Sequence, residues 1–123
     1  RAPENPLRED VPGARFWAVG LRRAMLTYYE VDPRCRFERH SHPGEQITLV
    51  LAGELVFELD DATHSLGPGD VIAIPGGVPH AVFSRESAVR AVDAWSPPPV
   101  RYDPESPDPE RPCGSPEPEN PER

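Results

Sequence analysis

Over roughly the first 95 residues, apolar and polar positions alternate in short runs broken by Gly, Pro and Asp. A period of two marks strands, whose successive side chains face opposite ways. The alternation predicts strands at 15–20 (RFWAVG), 23–31, 36–40, 46–51, 54–60, 63–66, 71–74, 80–84 and 88–95. Turn-forming groups separate them: Asp32-Pro33, Pro43-Gly44, Ala52-Gly53, Asp60-Asp61, Gly67-Pro68-Gly69, Pro75-Gly76-Gly77 and Arg85-Glu86. No stretch keeps a 3.6-residue period long enough for a substantial helix. Many short strands with regular turns predict an all-β fold, an antiparallel sandwich or barrel.

The phase of the alternation assigns faces. In ELVFELD, Leu55, Phe57 and Leu59 share one side, with Glu54, Glu58 and Asp60 on the other. In AVRAVDAW, Asp93 is in phase with Val89, Ala91 and Trp95, so a carboxylate falls among apolar neighbours. In QITLVL, Ile47, Leu49 and Leu51 share one face, while Gln46, Thr48 and Val50 share the opposite one. A strand that sets an amide and a hydroxyl against an apolar face suits a barrel with a partly polar interior.

Composition divides the chain. Residues 1–14 hold three prolines and several charges and are expected to form an arm or loop. The barrel domain is expected over 15–98. From residue 99 the sequence is rich in Pro, Glu, Asp and Ser, too poor in apolar groups to offset the entropy of ordering, and is expected to be disordered. Three segments in 123 residues leave room for one core.

The formal charge is -8, from 21 acidic and 13 basic residues, much of the excess lying in the tail. Phosphate neutralisation needs a basic face, so a nucleic-acid partner is not expected. No apolar run reaches the length of a membrane span and no signal segment is visible, so neither a membrane partner is expected. Cys35 and Cys113 make no disulfide framework and are not expected to bridge. A cytoplasmic setting is the default, although a start at Arg1 leaves a removed leader open.

Chemistry concentrates in HSHPGEQITLVLAG (40–53) and GDVIAIPGGVPHAVFS (69–84). His40 and His42 are one residue apart, so on extended backbone both rings project from one face. Gln46 follows a Pro43-Gly44 bend and opens a strand, as does His80. Three neutral imidazoles and an amide oxygen suit one divalent transition metal (Fe, Mn, Ni or Zn), with positions left for water or substrate. A Gln ligand keeps the full metal charge of about +2, favouring Lewis acidity and anionic substrates. Glu45 is an alternative ligand, but its phase points away. The plainer reading is three histidines that never meet; His64, on a short strand between turns, is expected to face solvent. Asp93 is the candidate general acid or base, against a purely structural carboxylate. Tyr28, Tyr29 and Arg23 are candidates for the cavity mouth.

These two stretches resemble the paired motifs of the cupin superfamily. His40-Ser41-His42, Gln46 and Gly53 occupy the first pattern, and Gly69, Pro75, Gly77 and His80 the second. Three positions depart: Arg34 stands where Gly is usual, Gln46 where Glu is usual, and Ser84 where Asn is usual. The HSHPGEQ stretch and AVDAWSPP are similar to small cupins acting on unsaturated sugar acids or in small-molecule biosynthesis. In the sugar-acid group an Arg follows the Pro pair soon; here Pro99 and Val100 precede Arg101. The resemblance implies a double-stranded β-helix, or jelly-roll, with His40, His42, Gln46 and His80 as metal ligands. It further implies a homodimer, a small-molecule substrate, and Lewis-acid chemistry of ring-opening, isomerase or cyclase type. An iron-dependent dioxygenase and a non-catalytic ligand-binding module are the alternatives.

Overall fold

The computed structural model describes residues 7–99; the proline-rich tail lies outside them, as do Cys113, on which the disulfide expectation falls, and Arg101. Ten strands make up the described chain. They are β1 (Arg8–Val11), β2 (Ala14–Gly20), β3 (Met25–Val31), β4 (Arg36–His40), β5 (Glu45–Ala52), β6 (Leu55–Leu59), β7 (Ala62–Leu66), β8 (Val71–Ile74), β9 (His80–Ser84) and β10 (Val89–Ser96). They form a six-stranded sheet, β1-β2-β3-β10-β5-β8, and a four-stranded sheet, β4-β9-β6-β7, with every pairing antiparallel. No helix among the described residues is long and apolar enough to cross a membrane.

Nine strands match those expected, trimmed or extended by a residue or two. β1 falls in the stretch expected to be an arm. It pairs with β2 across Val11-Pro12-Gly13-Ala14, where Gly13 has φ +95°. Pro fixes the first turn dihedral and Gly takes the positive φ of the second, so the Pro-Gly pair closes a hairpin.

The core lies between the sheets, where Val31, Val50, Val89 and Ala91 meet Leu55, Phe57, Leu59 and Leu66. Phe57 is fully buried, worth about 1.5–3 kcal/mol in removed apolar surface. The faces follow the expected phase: Val89, Ala91, Asp93 and Trp95 are buried along β10, and Gln46, Thr48 and Val50 along β5.

Two of the departures from the motif have structural consequences. Arg34 sits at φ +56°, in the left-handed region that favours Gly, with its N–H on Arg85 O and its guanidinium on Glu86. Ser84 Oγ donates to Asp32 O at 2.6 Å and accepts from Cys35 N at 2.9 Å. Its hydroxyl thus ties β9 to the β3–β4 turn. Asp60 and Asp61, both at positive φ, make the two-residue β6–β7 hairpin turn.

Candidate metal centre

His40 ends β4, His80 opens β9, and the two are register partners. Plain alternation would not bring His40 inward. Phe37 and His40 are three residues apart, so on a regular strand they face opposite ways. The ladder shifts between Phe37 and His40, leaving two residues of β4 opposite one of β9. This bulge restores His40 to the interior beside Phe37, and both line the same cavity.

His42 lies on the bend between β4 and β5. Its carbonyl accepts from Gly77 N at 2.8 Å. A Cβ at Gly76 would stand 2.3 Å from Pro43 O, so a side chain there would push the bend away. The glycines of the β8–β9 turn therefore press the His42 loop against the sheet end.

The three imidazoles converge, with ligand atoms all within 4.8 Å of one another. Each ring is held the same way. Nδ1 of His40 donates to Glu38 O at 2.8 Å, that of His42 to Gly44 O at 3.0 Å, and that of His80 to Val78 O at 2.8 Å. A carbonyl can only accept, so each Nδ1 carries a proton, and in the neutral ring each Nε2 keeps a lone pair. Burial, with help from nearby His42 and Arg39 and against the pull of the Val78 carbonyl, pushes the His80 pKa below its ordinary value. The His80 ring is therefore neutral at pH 7.

Gln46, 4% exposed, completes the set. Its Oε1 stands 3.0 Å from His42 Nε2. In the neutral ring with its proton on Nδ1, two lone pairs face each other, an arrangement that a cation between them would relieve. Gln46 Nε2 donates to Thr48 Oγ1 at 2.9 Å and reaches Asp93 Oδ2 at 3.4 Å. Glu45 is exposed, as its phase required. The donors therefore fit a divalent metal: three imidazole nitrogens and one amide oxygen, each oriented by an outer hydrogen bond.

Asp93 is buried in the lining of this cavity, and its Oδ1 accepts from Thr48 Oγ1 at 2.5 Å and from the Tyr29 hydroxyl at 3.1 Å. Trp95 packs its ring edge-on to His42 at 5.2 Å and donates its indole N–H to Thr27. The cavity opens to solvent, with Tyr29, Phe37 and Phe57 among its walls. Tyr28 is on the opposite face of the sheet, stacked on Trp17, so of the two tyrosines only Tyr29 belongs to the cavity. His64 is exposed, as expected. Thr48 is the residue the motifs did not pick out, although its phase with Gln46 placed it on the right face.

Known proteins share this architecture. KdgF from Halomonas sp. superposes with a TM-score of 0.75 at 24% identity, over 80% of this chain and 94% of that one. The polyketide cyclase RemF from Streptomyces resistomycificus gives 0.69 at 25%, over 80% and 78%. By sequence, the dimethylsulfoniopropionate lyase DddQ of Ruegeria pomeroyi is 39% identical over 57 residues, 46% of this chain and 28% of that protein. The HTH-type transcriptional regulator PuuR of Escherichia coli is 40% identical over 62 residues, 49% of this chain and 33% of that protein. The chain thus spans about a third or less of the curated relatives it matches. The cupin-domain family profile matches residues 27–95, which encompass all four metal-ligand candidates and Asp93, and on that match the chain belongs to the cupin family.

Proposed function

We propose that this cupin is a metal-dependent enzyme acting on a small, oxygen-rich, anionic metabolite, in a ring-opening, isomerase or cyclase type of reaction. The observation that carries the reading is the donor set. Three neutral imidazoles and a neutral amide leave the charge of a divalent ion uncompensated by any ligand. When bound, the metal supplies Lewis acidity toward a substrate oxygen.

The chain's own residues supply the rest. Tyr29 lines the cavity with its hydroxyl on Asp93 Oδ1, so a proton accepted by the Tyr29 oxygen can be balanced by transfer of the Tyr29 proton to Asp93. Phe37 and Phe57 exclude water from the inner wall. The lyase relative, whose named substrate bears a carboxylate, and the polyketide cyclase support a small-molecule enzyme.

Two further readings stand behind this one. An iron-dependent dioxygenase would use the same three-histidine site. A non-catalytic ligand-binding module is supported by the match to a transcriptional regulator.

The deciding experiment is metal analysis of untagged protein purified without chelators, beside His80→Ala. Close to one equivalent of a divalent metal in the wild type, lost in the variant, is expected. Iron would direct assays to oxygen-dependent turnover; zinc, nickel or manganese would direct them to isomerase and ring-opening substrates. If both proteins are empty and neither takes up added metal, the enzyme reading fails and the binding module replaces it.

A further inference from the structure

Strand register sorts the cavity walls into levels. On the larger sheet, Trp95 and Gln46 stand side by side at one end, Asp93 and Thr48 come next, and Val89 and Val31 lie at the far end. On the smaller sheet, His40 and His80 share the first level. Phe37, Val82 and Phe57 share the next, and Leu55 lies beyond them. His42 touches both Gln46 and His80, so the first levels of the two sheets face each other. Polarity therefore falls along the cavity from one end to the other.

The metal donors mark the entrance. His40 and His42 are half-buried, whereas Val31 and Leu55, at the far end, are each 1% exposed. The cavity nevertheless continues past the donors. Val82 faces inward from β9, a central strand of its sheet, yet is only half-buried, and it lines the cavity together with Phe37 and Phe57.

Beyond the donors, the hydrogen-bonding groups are few and engaged. Asp93 Oδ1 accepts from Thr48 and Tyr29, Gln46 Nε2 reaches Oδ2, and Trp95 donates its indole N–H to Thr27. A substrate hydroxyl at the level of Val82 would lose its water without gaining a partner there. Among the described residues that line the cavity there is no Arg. The counter-charge for a carboxylate is thus the metal at the entrance, and a second anionic group placed deeper would face the Asp93 carboxylate.

Taking the metal-dependent function as the premise, we infer that the substrate is a monoanion with its oxygen atoms gathered at one end and a compact apolar group at the other. The acidic end binds at the metal donors, and the apolar group fills the space between Phe37, Phe57 and Val82. Acids hydroxylated along their whole length do not suit that apolar level.

The test is calorimetric titration of the cobalt-loaded full chain with 2-hydroxy acids, beside the visible spectrum of the bound cobalt. Lactate, 2-hydroxybutyrate and 2-hydroxyisocaproate share one head and differ in apolar carbon. Glycerate is 2-hydroxybutyrate with its terminal methyl exchanged for a hydroxyl. Affinity is expected to rise about fourfold for each added carbon that is buried. 2-Hydroxybutyrate should bind at least about fivefold more tightly than glycerate. Val82→Thr, similar in volume, should shrink that second ratio while cobalt uptake stays at the wild-type level. Should Val82→Thr fail to fold, the wild-type series decides alone. Cobalt uptake with no acid bound, with equal affinities across the series, or with glycerate preferred overturns the inference and leaves the metal reading standing. So does a preference that folded Val82→Thr leaves unchanged. A wild type that takes up no cobalt overturns the metal-dependent function, and the inference with it.

Discussion

Thr48 Oγ1 donates to Asp93 Oδ1 across 2.5 Å, between the neighbouring strands β5 and β10. That bond uses the only proton of the hydroxyl, so toward Gln46 the hydroxyl can only accept. The Gln46 amide must then give its nitrogen to Thr48 and turn its oxygen to His42. The Asp93 carboxylate thus decides which end of the amide faces the site.

Thr48→Val keeps the volume and removes the acceptor. The amide nitrogen then loses its shorter hydrogen bond and keeps only the 3.4 Å contact with Asp93 Oδ2. Outer hydrogen bonds of this kind are worth about 10–100-fold in metal affinity. We expect Thr48→Val to weaken binding of cobalt by that factor and to shift its visible absorption, with Thr48→Ser restoring both. Equal affinity and an identical spectrum in Thr48→Val would remove the relay from the account.

Protons compete with folding at His80. Its pKa lies below the ordinary 6.5, chiefly through burial, so the unfolded chain binds a proton more readily than the folded one. Stability from this group is therefore present above the unfolded value and lost as pH falls through 6.5 toward the folded value. Denaturant midpoints of the metal-free protein should drop between pH 7 and 5.5. His80→Gln should flatten that slope; an unchanged slope would locate the pH dependence elsewhere.

Much of this was legible in the alternation. Phase alone put Asp93 with Val89 and Ala91, and Gln46 with Thr48, because strands force neighbours to opposite faces. The His-x-His pair announced candidate ligands. What alternation could not give was His40, whose inward turn depends on a bulge that exists only in pairing with β9. Tyr28 and Tyr29 are adjacent, and either phase was open until β3 paired with β10. The β1 hairpin was missed because its charged strand lacks an apolar pattern, although Pro12-Gly13 carried the turn signal.

Arg34 tests how the fold tolerates a side chain at positive φ. A left-handed L-residue costs roughly 1–2 kcal/mol, and its exposed ion pair with Glu86 returns little. Arg34→Gly should hold or raise stability by up to about 1 kcal/mol, whereas the β-branched Arg34→Val should lower it by about 1–2 kcal/mol. Chemical denaturation at neutral pH measures both. If glycine destabilises as much as valine, the left-handed conformation is not what limits this turn.

Gly76 and Gly69 separate placement of the metal loop from turn strain. At Gly76 a Cβ would press on Pro43 O, beside the bend that carries His42, without a positive φ to strain the backbone. At Gly69 the φ is +89° but nothing lies within 4 Å of a Cβ. Gly76→Ala should therefore displace His42 and weaken metal binding at least about tenfold, since imidazole placement tolerates only a few tenths of an ångström. Gly69→Ala should lower stability by about 1 kcal/mol while leaving metal affinity intact. Calorimetric metal titration and denaturant unfolding of both variants read the two effects apart. Should Gly76→Ala bind metal like the wild type, the β8–β9 turn does not position His42, and the bend must be held by Gly44 and the start of β5.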